Sequence, residues 1–169
     1  MRTRSTIALL AAALAATAIG AAAQTPAPQP APAVRGPASS ALNYVPGIGD
    51  MMSSLVQPRH AKLWLAGHEK NWELAAYAYK EMQQALGTVG TVQPKFRNLT
   101  VPEMIESMTG EAMRDLDDAI RARDPKKFAD AFDGLTDGCN SCHTALNHGF
   151  IVIKVPEASA FPNQEFKAP

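Results

Sequence analysis

The chain has 169 residues, which is enough for one domain of ordinary size. Apolar residues make up 46% of it and charged residues 19%, a globular composition that excludes a wholly disordered chain. The 16 basic residues balance the 16 acidic ones, and this zero net charge argues against nucleic-acid binding through phosphate neutralisation. Two cysteines are too few for a disulfide-rich scaffold.

Residues 1–23 have the pattern of a secretory signal peptide. Arg2 and Arg4 supply the positive start, an Ala- and Leu-rich run follows, and Ala21-Ala22-Ala23 is a small-residue cleavage site. We therefore expect cleavage after about Ala23, a periplasmic location, and no integral membrane span in the remaining chain. The alternative is an uncleaved anchor, for which the apolar run is slightly shorter than the roughly 20 residues that a bilayer requires.

Residues 24–46 are predicted to form a Pro- and Ala-rich linker, because proline favours an extended, solvated chain. The folded domain then covers residues 47–169.

The first helix of this domain is expected from about Gly49 to Ala66, bent or broken at Pro58 and ended by Gly67. The apolar face of this helix holds Met52, Leu55, Val56, Leu63 and Ala66.

The second helix is expected from about Trp72 to Leu86, with Asn71 as its N-cap, Gly87 as its end and a loop over residues 88–99. A capping box of Thr100 and Glu103 opens the third helix. Its predicted apolar stripe is Ile105, Met108, Ala112, Leu116 and Ala119.

The fourth helix begins at Asp124-Pro125, with Asp as N-cap and Pro at the first helical position. Its apolar seam consists of Phe128, Phe132, Leu135, Cys139, Cys142 and Leu146. Four amphipathic helices with mostly short connections predict an all-α fold, an antiparallel four-helix bundle. From about residue 149 a tail follows, in which Phe150-Ile151-Val152-Ile153 is expected to lie as an extended strand over an apolar surface.

One pentapeptide carries the chemistry. Cys139-Asn140-Ser141-Cys142-His143 matches C-x-x-C-H, the attachment signature of c-type haem. Two thiols at this spacing share a helix face and can form thioethers to the two vinyl groups of one porphyrin edge. His143 can then serve as the proximal iron ligand. The predicted cofactor is one covalent haem c.

Three other interpretations of the two cysteines remain open at this point. A structural zinc site normally needs four ligands, and Cys139, Cys142 and His143 supply three. A thioredoxin-like redox pair belongs at a helix N-terminus after a strand, whereas this pair lies near the end of a helix. The third interpretation is a purely structural disulfide.

A secretory signal, four helices and one C-x-x-C-H in the last helix resemble the cytochrome c′ family, the class II c-type cytochromes, over roughly Asp50 to Asn147. The resemblance implies thioethers at Cys139 and Cys142, His143 as proximal ligand, and a first helix that faces the distal side of the haem. Asn147 stands one helical turn after His143, where many members of the family have a basic residue.

The resemblance also implies that the sixth iron position decides between two functions. A methionine there gives six-coordinate iron suited to electron transfer, whereas an apolar residue leaves an open site for small gases. Met51 and Met52 lie at the start of the first helix, beside the end of the fourth in an antiparallel bundle. We expect Met52 as the ligand because it shares the apolar face, whereas Met51 is rotated away from it; the alternative is that Met52 only fills core space.

The other candidates have ordinary roles. His60 lies roughly 12 Å along the helix axis from Met52, too far for haem ligation, and is expected to be a surface or cap histidine like His68. His148 follows His143 closely enough to contact the proximal side or a propionate. Arg59 is a candidate propionate partner and equally a candidate solvated side chain.

We therefore expect an exported mono-haem one-electron carrier rather than an enzyme, with redox proteins of the respiratory or periplasmic chain as partners. The alternative is a five-coordinate protein that binds NO or CO. Peroxidase-like catalysis is disfavoured because the distal helix offers no histidine at the right height. Flat helix faces in such bundles are compatible with a homodimer.

Overall fold

The computed structural model describes residues 44–169. The predicted signal peptide and nearly all of the predicted linker lie outside the described residues. The elements in chain order are α1 (Ile48–Met51), a π-helical turn (Met52–Val56), α2 (Gln57–His68), α3 (Trp72–Val92), β1 (Lys95–Phe96), β2 (Leu99–Thr100), α4 (Val101–Ala122) and α5 (Pro125–Ala145). The predicted helical class is therefore confirmed, with a small hairpin in addition.

Four helices form the core. Helix α2 packs against α3, α3 against α4, α4 against α5, and α5 against α2. The side chains that face inward are apolar and almost fully enclosed: Leu63, Met82, Val89, Leu116, Phe128, Phe132 and Leu135. Burial of this apolar surface is the main stabilising contribution to the fold.

The first predicted helix is a continuous helical path that changes its winding before Pro58. Proline has no N–H to donate and its ring crowds the carbonyl four residues earlier, so the wider π turn over Met52–Val56 accommodates it in the first turn of α2. The wider turn also changes which methionine faces inward. Met51 is 1% exposed whereas Met52 is half-buried, so the expectation that Met51 points away from the core is wrong.

Gly67 was predicted to end this helix, and that prediction is wrong. The helix continues to His68, and Lys70 takes the left-handed conformation, with φ of 57°, that ends the turn. Gly67 is buried instead, and a Cβ atom there would overlap the ring of Phe128. The glycine therefore allows α2 to lie close to α5.

The N-cap of α3 is confirmed, because the Asn71 side chain accepts from the Leu74 N–H at 3.2 Å. The predicted end at Gly87 is wrong, since α3 continues to Val92 and Val89 is fully buried. A glycine inside a helix costs only about 1 kcal/mol, which burial of the last turn outweighs. The predicted loop over residues 88–99 therefore shortens and holds the β1–β2 hairpin, which pairs Lys95 with Thr100.

The two later helices begin where predicted. Asp124 caps α5 by accepting from the N–H groups of Lys126 and Lys127, both at 3.0 Å. Thr100 is the N-cap residue of α4, but its side chain makes no capping bond and the predicted box with Glu103 does not form. Thr100 is also the last residue of β2, so the hairpin holds its backbone.

The tail after α5 does not form the predicted strand; residues 148–169 have no regular secondary structure. Phe150 is 80% exposed and Val152 72%, so the apolar run does not cover an apolar surface as expected. Later tail residues pack on the core instead, and Phe166 is 5% exposed. The Lys167 carbonyl accepts from the Asn71 amide at 3.2 Å, which fastens the tail to the turn between α2 and α3.

Among residues 44–169, no helix has the length and apolar content needed to cross a membrane.

Two glycine substitutions test the contact between α2 and α5. We expect Gly67→Ala to lower the free energy of unfolding by about 1–3 kcal/mol, because the new methyl group overlaps the Phe128 ring. Gly87→Ala is the matched control: a Cβ there meets nothing within 4 Å, so it should raise stability by about 0.5–1 kcal/mol. Urea denaturation followed by circular dichroism measures both values, and equal effects at the two positions would contradict the assigned contact.

Candidate functional site

The pentapeptide Cys139–His143 lies within the last two turns of α5, which ends at Ala145. Both cysteines are free and half-buried, and their spacing places them on nearly the same side of the helix. Gly138 precedes them, and a Cβ atom there would overlap the backbone carbonyl of Met108 on α4. The absence of a side chain at Gly138 therefore lets α5 approach α4 closely at the start of the site.

Both thiols are held in the protonated form. Burial raises the pKa of Cys139 from 9.0 to about 11, and it also raises the pKa of Cys142. The C-terminal end of a helix is the negative end of its dipole, which likewise disfavours a thiolate. A reactive thioredoxin-like pair needs the opposite, a lowered pKa, so this surrounding does not support the redox-pair interpretation.

The His143 imidazole has one nitrogen engaged by the backbone. Its Nδ1 lies 2.9 Å from the carbonyl oxygen of Ile151 in the tail. A carbonyl can only accept, so Nδ1 carries a proton, and in the neutral ring Nε2 then presents its lone pair. Metal-binding histidines typically make this bond with the nitrogen that does not bind the metal.

Within the described residues, no three or more His, Cys, Asp or Glu side chains converge as a candidate metal-binding group. A structural zinc ion normally takes four protein ligands. The zinc interpretation of Cys139, Cys142 and His143 therefore gains no additional ligand from the fold around them.

Asn140, between the two cysteines, fastens the tail to α5. Its Nδ2 donates to the Ile153 carbonyl at 2.8 Å, and its Oδ1 accepts from the Ile153 N–H at 2.8 Å. This role could not be predicted, because an asparagine inside C-x-x-C-H carries no signal of a partner in the tail.

Exposed apolar side chains lie on the tail that follows the site and on the hairpin: Leu99, Phe150, Ile151 and Val152. The ring of His148 lies 6.2 Å from that of Phe96 and 5.7 Å from that of Phe150, which joins the hairpin to the tail. Contiguous exposed apolar surface is frequently a contact surface for a ligand or a partner.

Met51 is the last residue of α1 and Met52 is the first residue of the π turn, whereas Cys139–His143 lies at the end of α5. Apart from α1, which directly precedes it, the π turn that contains Met52 contacts mainly α2 and α3. Arg59, the candidate propionate partner, donates to the Leu55 carbonyl at 2.9 Å and lies 3.4 Å from the Glu81 carboxylate on α3.

His60 is not the surface or cap histidine that we expected. It is 5% exposed, its ring lies 4.5 Å from that of Phe132, and its Nε2 lies 3.0 Å from Thr136 Oγ1. Because the Thr136 hydroxyl donates to the Phe132 carbonyl, its oxygen accepts from the His60 Nε2–H. The missed signal is the spacing of Val56, His60 and Leu63, which share one helix face.

Comparison with known proteins gives no family assignment: no protein-family model, no curated protein and no solved structure matches the chain. The interpretation of the site therefore depends on its residues and their geometry.

His60 makes the stability of the protein depend on pH. Burial lowers the pKa of His60 from 6.5 to about 4. Between pH 4 and pH 6.5 the imidazole is therefore protonated in the unfolded chain and neutral in the folded protein. The stabilisation is complete above pH 6.5 and is lost as the pH falls toward 4. We expect His60→Gln to reduce the stability difference between pH 7 and pH 5 by about 1–3 kcal/mol.

Urea denaturation of the full chain at the two pH values measures this difference. His68→Gln is the control, because the His68 side chain is 60% exposed. An unchanged pH dependence in His60→Gln would contradict the assigned protonation state.

Proposed function

We propose that this protein is an exported mono-haem c-type cytochrome that carries one electron at a time. Cys139 and Cys142 would hold the haem through thioethers, and His143 would be its proximal ligand. The observation that carries the proposal is the C-x-x-C-H segment at the end of α5, with the His143 Nδ1–H already bonded to a backbone carbonyl. Export rests on the signal-peptide pattern of residues 1–23.

The residues of the site fit the requirements of a covalent haem. Two thiols share one side of α5, an imidazole nitrogen is free to bind iron, and apolar side chains such as Phe150 and Val152 are available to contact a macrocycle. The haem would supply an iron that alternates between the ferrous and ferric states. The chain would anchor it, orient the imidazole and lower the local dielectric constant.

We propose further that the helices form an antiparallel bundle of the cytochrome c′ type. Three contacts support this arrangement: Gly67 with Phe128, Trp64 with Phe132 at 5.0 Å, and His60 with Thr136 at 3.0 Å. From one contact to the next, the α2 residue lies about one turn closer to the N-terminus and the α5 residue about one turn closer to the C-terminus. Continued in the same way, this pairing would bring the π turn beside the Cys139–His143 segment.

Met52 is the better candidate for the sixth ligand. Met51 is enclosed by protein side chains, with 1% of its surface exposed, so it has no free side for an iron. Met52 keeps part of its surface free, and it lies in a π turn, a distortion frequently found at functional sites. Coordination by Met52 and His143 would give six-coordinate iron with a raised reduction potential.

A visible absorption spectrum tests the proposal. Wild-type protein matured in a periplasm should retain its haem after denaturation, and on reduction it should show sharp α and β bands that CO does not change. The double substitution Cys139→Ala and Cys142→Ala is the control and should lose the covalent haem. Wild-type protein without haem after competent maturation would overturn the proposal, and a broad reduced spectrum that shifts with CO would favour the gas-binding alternative.

Two methionine substitutions separate ligation from packing. Met52→Leu should give a high-spin, CO-reactive ferrous form and a lower reduction potential, because the thioether ligand is lost. Met51→Leu should keep the low-spin spectrum and lower stability by less than about 1.5 kcal/mol, because the exchange conserves volume. The reverse pattern would identify Met51 as the ligand, and a low-spin spectrum in both variants would exclude both residues.

A further inference from the structure

The tail beside the site is held by hydrogen bonds rather than by apolar packing. Ile151 is 44% exposed and Val152 72%, so burial contributes little to holding this stretch in place. The two bonds between the Asn140 amide and the Ile153 backbone, both 2.8 Å, pair the side chain with the tail as a neighbouring strand would. Asn140 therefore supplies the hydrogen-bonded attachment on the C-terminal side of this stretch, and Val155, two residues beyond Ile153, is the next tail side chain that packs against the core.

The same stretch carries the acceptor for His143. The Ile151 carbonyl lies 2.9 Å from His143 Nδ1, and Ile151 is separated from Ile153 by only one residue. On the N-terminal side, the Ile151 N–H donates to the His148 carbonyl at 2.8 Å. Residues 151–153 are thus fixed at both ends, and loss of the Asn140 bonds would release the end next to the acceptor.

We propose that Asn140 is a positioning residue for the proximal ligand. By holding residues 151–153 against α5, it keeps the Ile151 carbonyl where it accepts the Nδ1 proton, and this sets the orientation and basicity of the His143 ring. The inference rests on the proposed haem attachment. A more basic imidazole stabilises ferric over ferrous iron, so the intact hydrogen bond lowers the reduction potential.

The test uses the haem-loaded protein and three variants. Asn140→Leu keeps a similar side-chain size but removes both bonds to Ile153. Ile153→Pro removes the N–H that donates to Asn140, one of the two bonds, and so weakens the contact from the tail side. Ser141→Ala is the matched control, because Ser141 is the other intervening residue of the same motif and is exposed.

Two measurements separate positioning from a general structural role. A spectroelectrochemical titration gives the reduction potential, and hydrogen exchange gives the protection of the residue 153 amide. We expect Asn140→Leu to raise the potential, with the reduction equilibrium shifted toward the ferrous form by about tenfold, and to lose the amide protection while the spin state is unchanged. Ile153→Pro should raise the potential in the same direction, and Ser141→Ala should match the wild type in both measurements.

The failure of this inference differs from the failure of the proposed function. Wild-type protein that matures without covalent haem overturns both. Haem-loaded Asn140→Leu and Ile153→Pro with the wild-type potential overturn the positioning role alone, as does a Ser141→Ala variant that shifts as much as Asn140→Leu.

Discussion

The contact between α2 and α5 is the constraint on which the rest of the structure depends. Phe132 is fully buried at its centre, with the rings of His60 at 4.5 Å and Trp64 at 5.0 Å. Gly67 allows the Phe128 ring to lie against the backbone of α2 one turn further on. Aromatic packing and the absence of a side chain at Gly67 thus set how α5 lies along α2. They therefore also set the position of the side chains near the end of α5 relative to α2.

Polar contacts complete the arrangement where apolar packing ends. The His60–Thr136 hydrogen bond lies one turn before Cys139 and satisfies a polar group that would otherwise be buried alone. Beyond it, the last two turns of α5 are half-buried or exposed, and Asn140 and His143 both bond to the backbone of the tail. The apolar core therefore gives way to a hydrogen-bonded site over about two helical turns.

Much of the helical fold could be predicted from the sequence, because its signals are local. Asn71 and Asp124 cap their helices as expected, and the first three residues of the seam predicted for α5 are buried. The stripe predicted for α4 is only partly correct, because Leu116 and Ala119 are buried whereas Ile105, Met108 and Ala112 are half-buried. The glycine signals failed, because whether Gly67 or Gly87 ends a helix depends on what packs against it. The inward turn of Met51 also escaped prediction, because it follows from the π turn before Pro58 rather than from regular 3.6-residue spacing.

In the candidate site too, some features could be predicted from local sequence and others depend on the tertiary structure. Cys139, Cys142 and His143 lie within one pentapeptide, so the sequence alone predicts them as the candidate site. The backbone acceptor for His143 could not be predicted, because a carbonyl is present at every residue and only the path of the tail brings that of Ile151 to the imidazole. The two hydrogen bonds between Asn140 and the backbone of Ile153 could not be predicted for the same reason.

The path of the tail also has a consequence for the order in which the site is assembled. In a chain synthesised from its N-terminus, all four long helices are complete before Ile151 and Ile153 emerge, and the attachment of Lys167 at Asn71 comes last. The side of α5 that bears Asn140 and His143 thus stays open to other proteins until residues 151–153 bind to it. With few buried contacts over residues 150–152, the same stretch can open again without disturbing the helices.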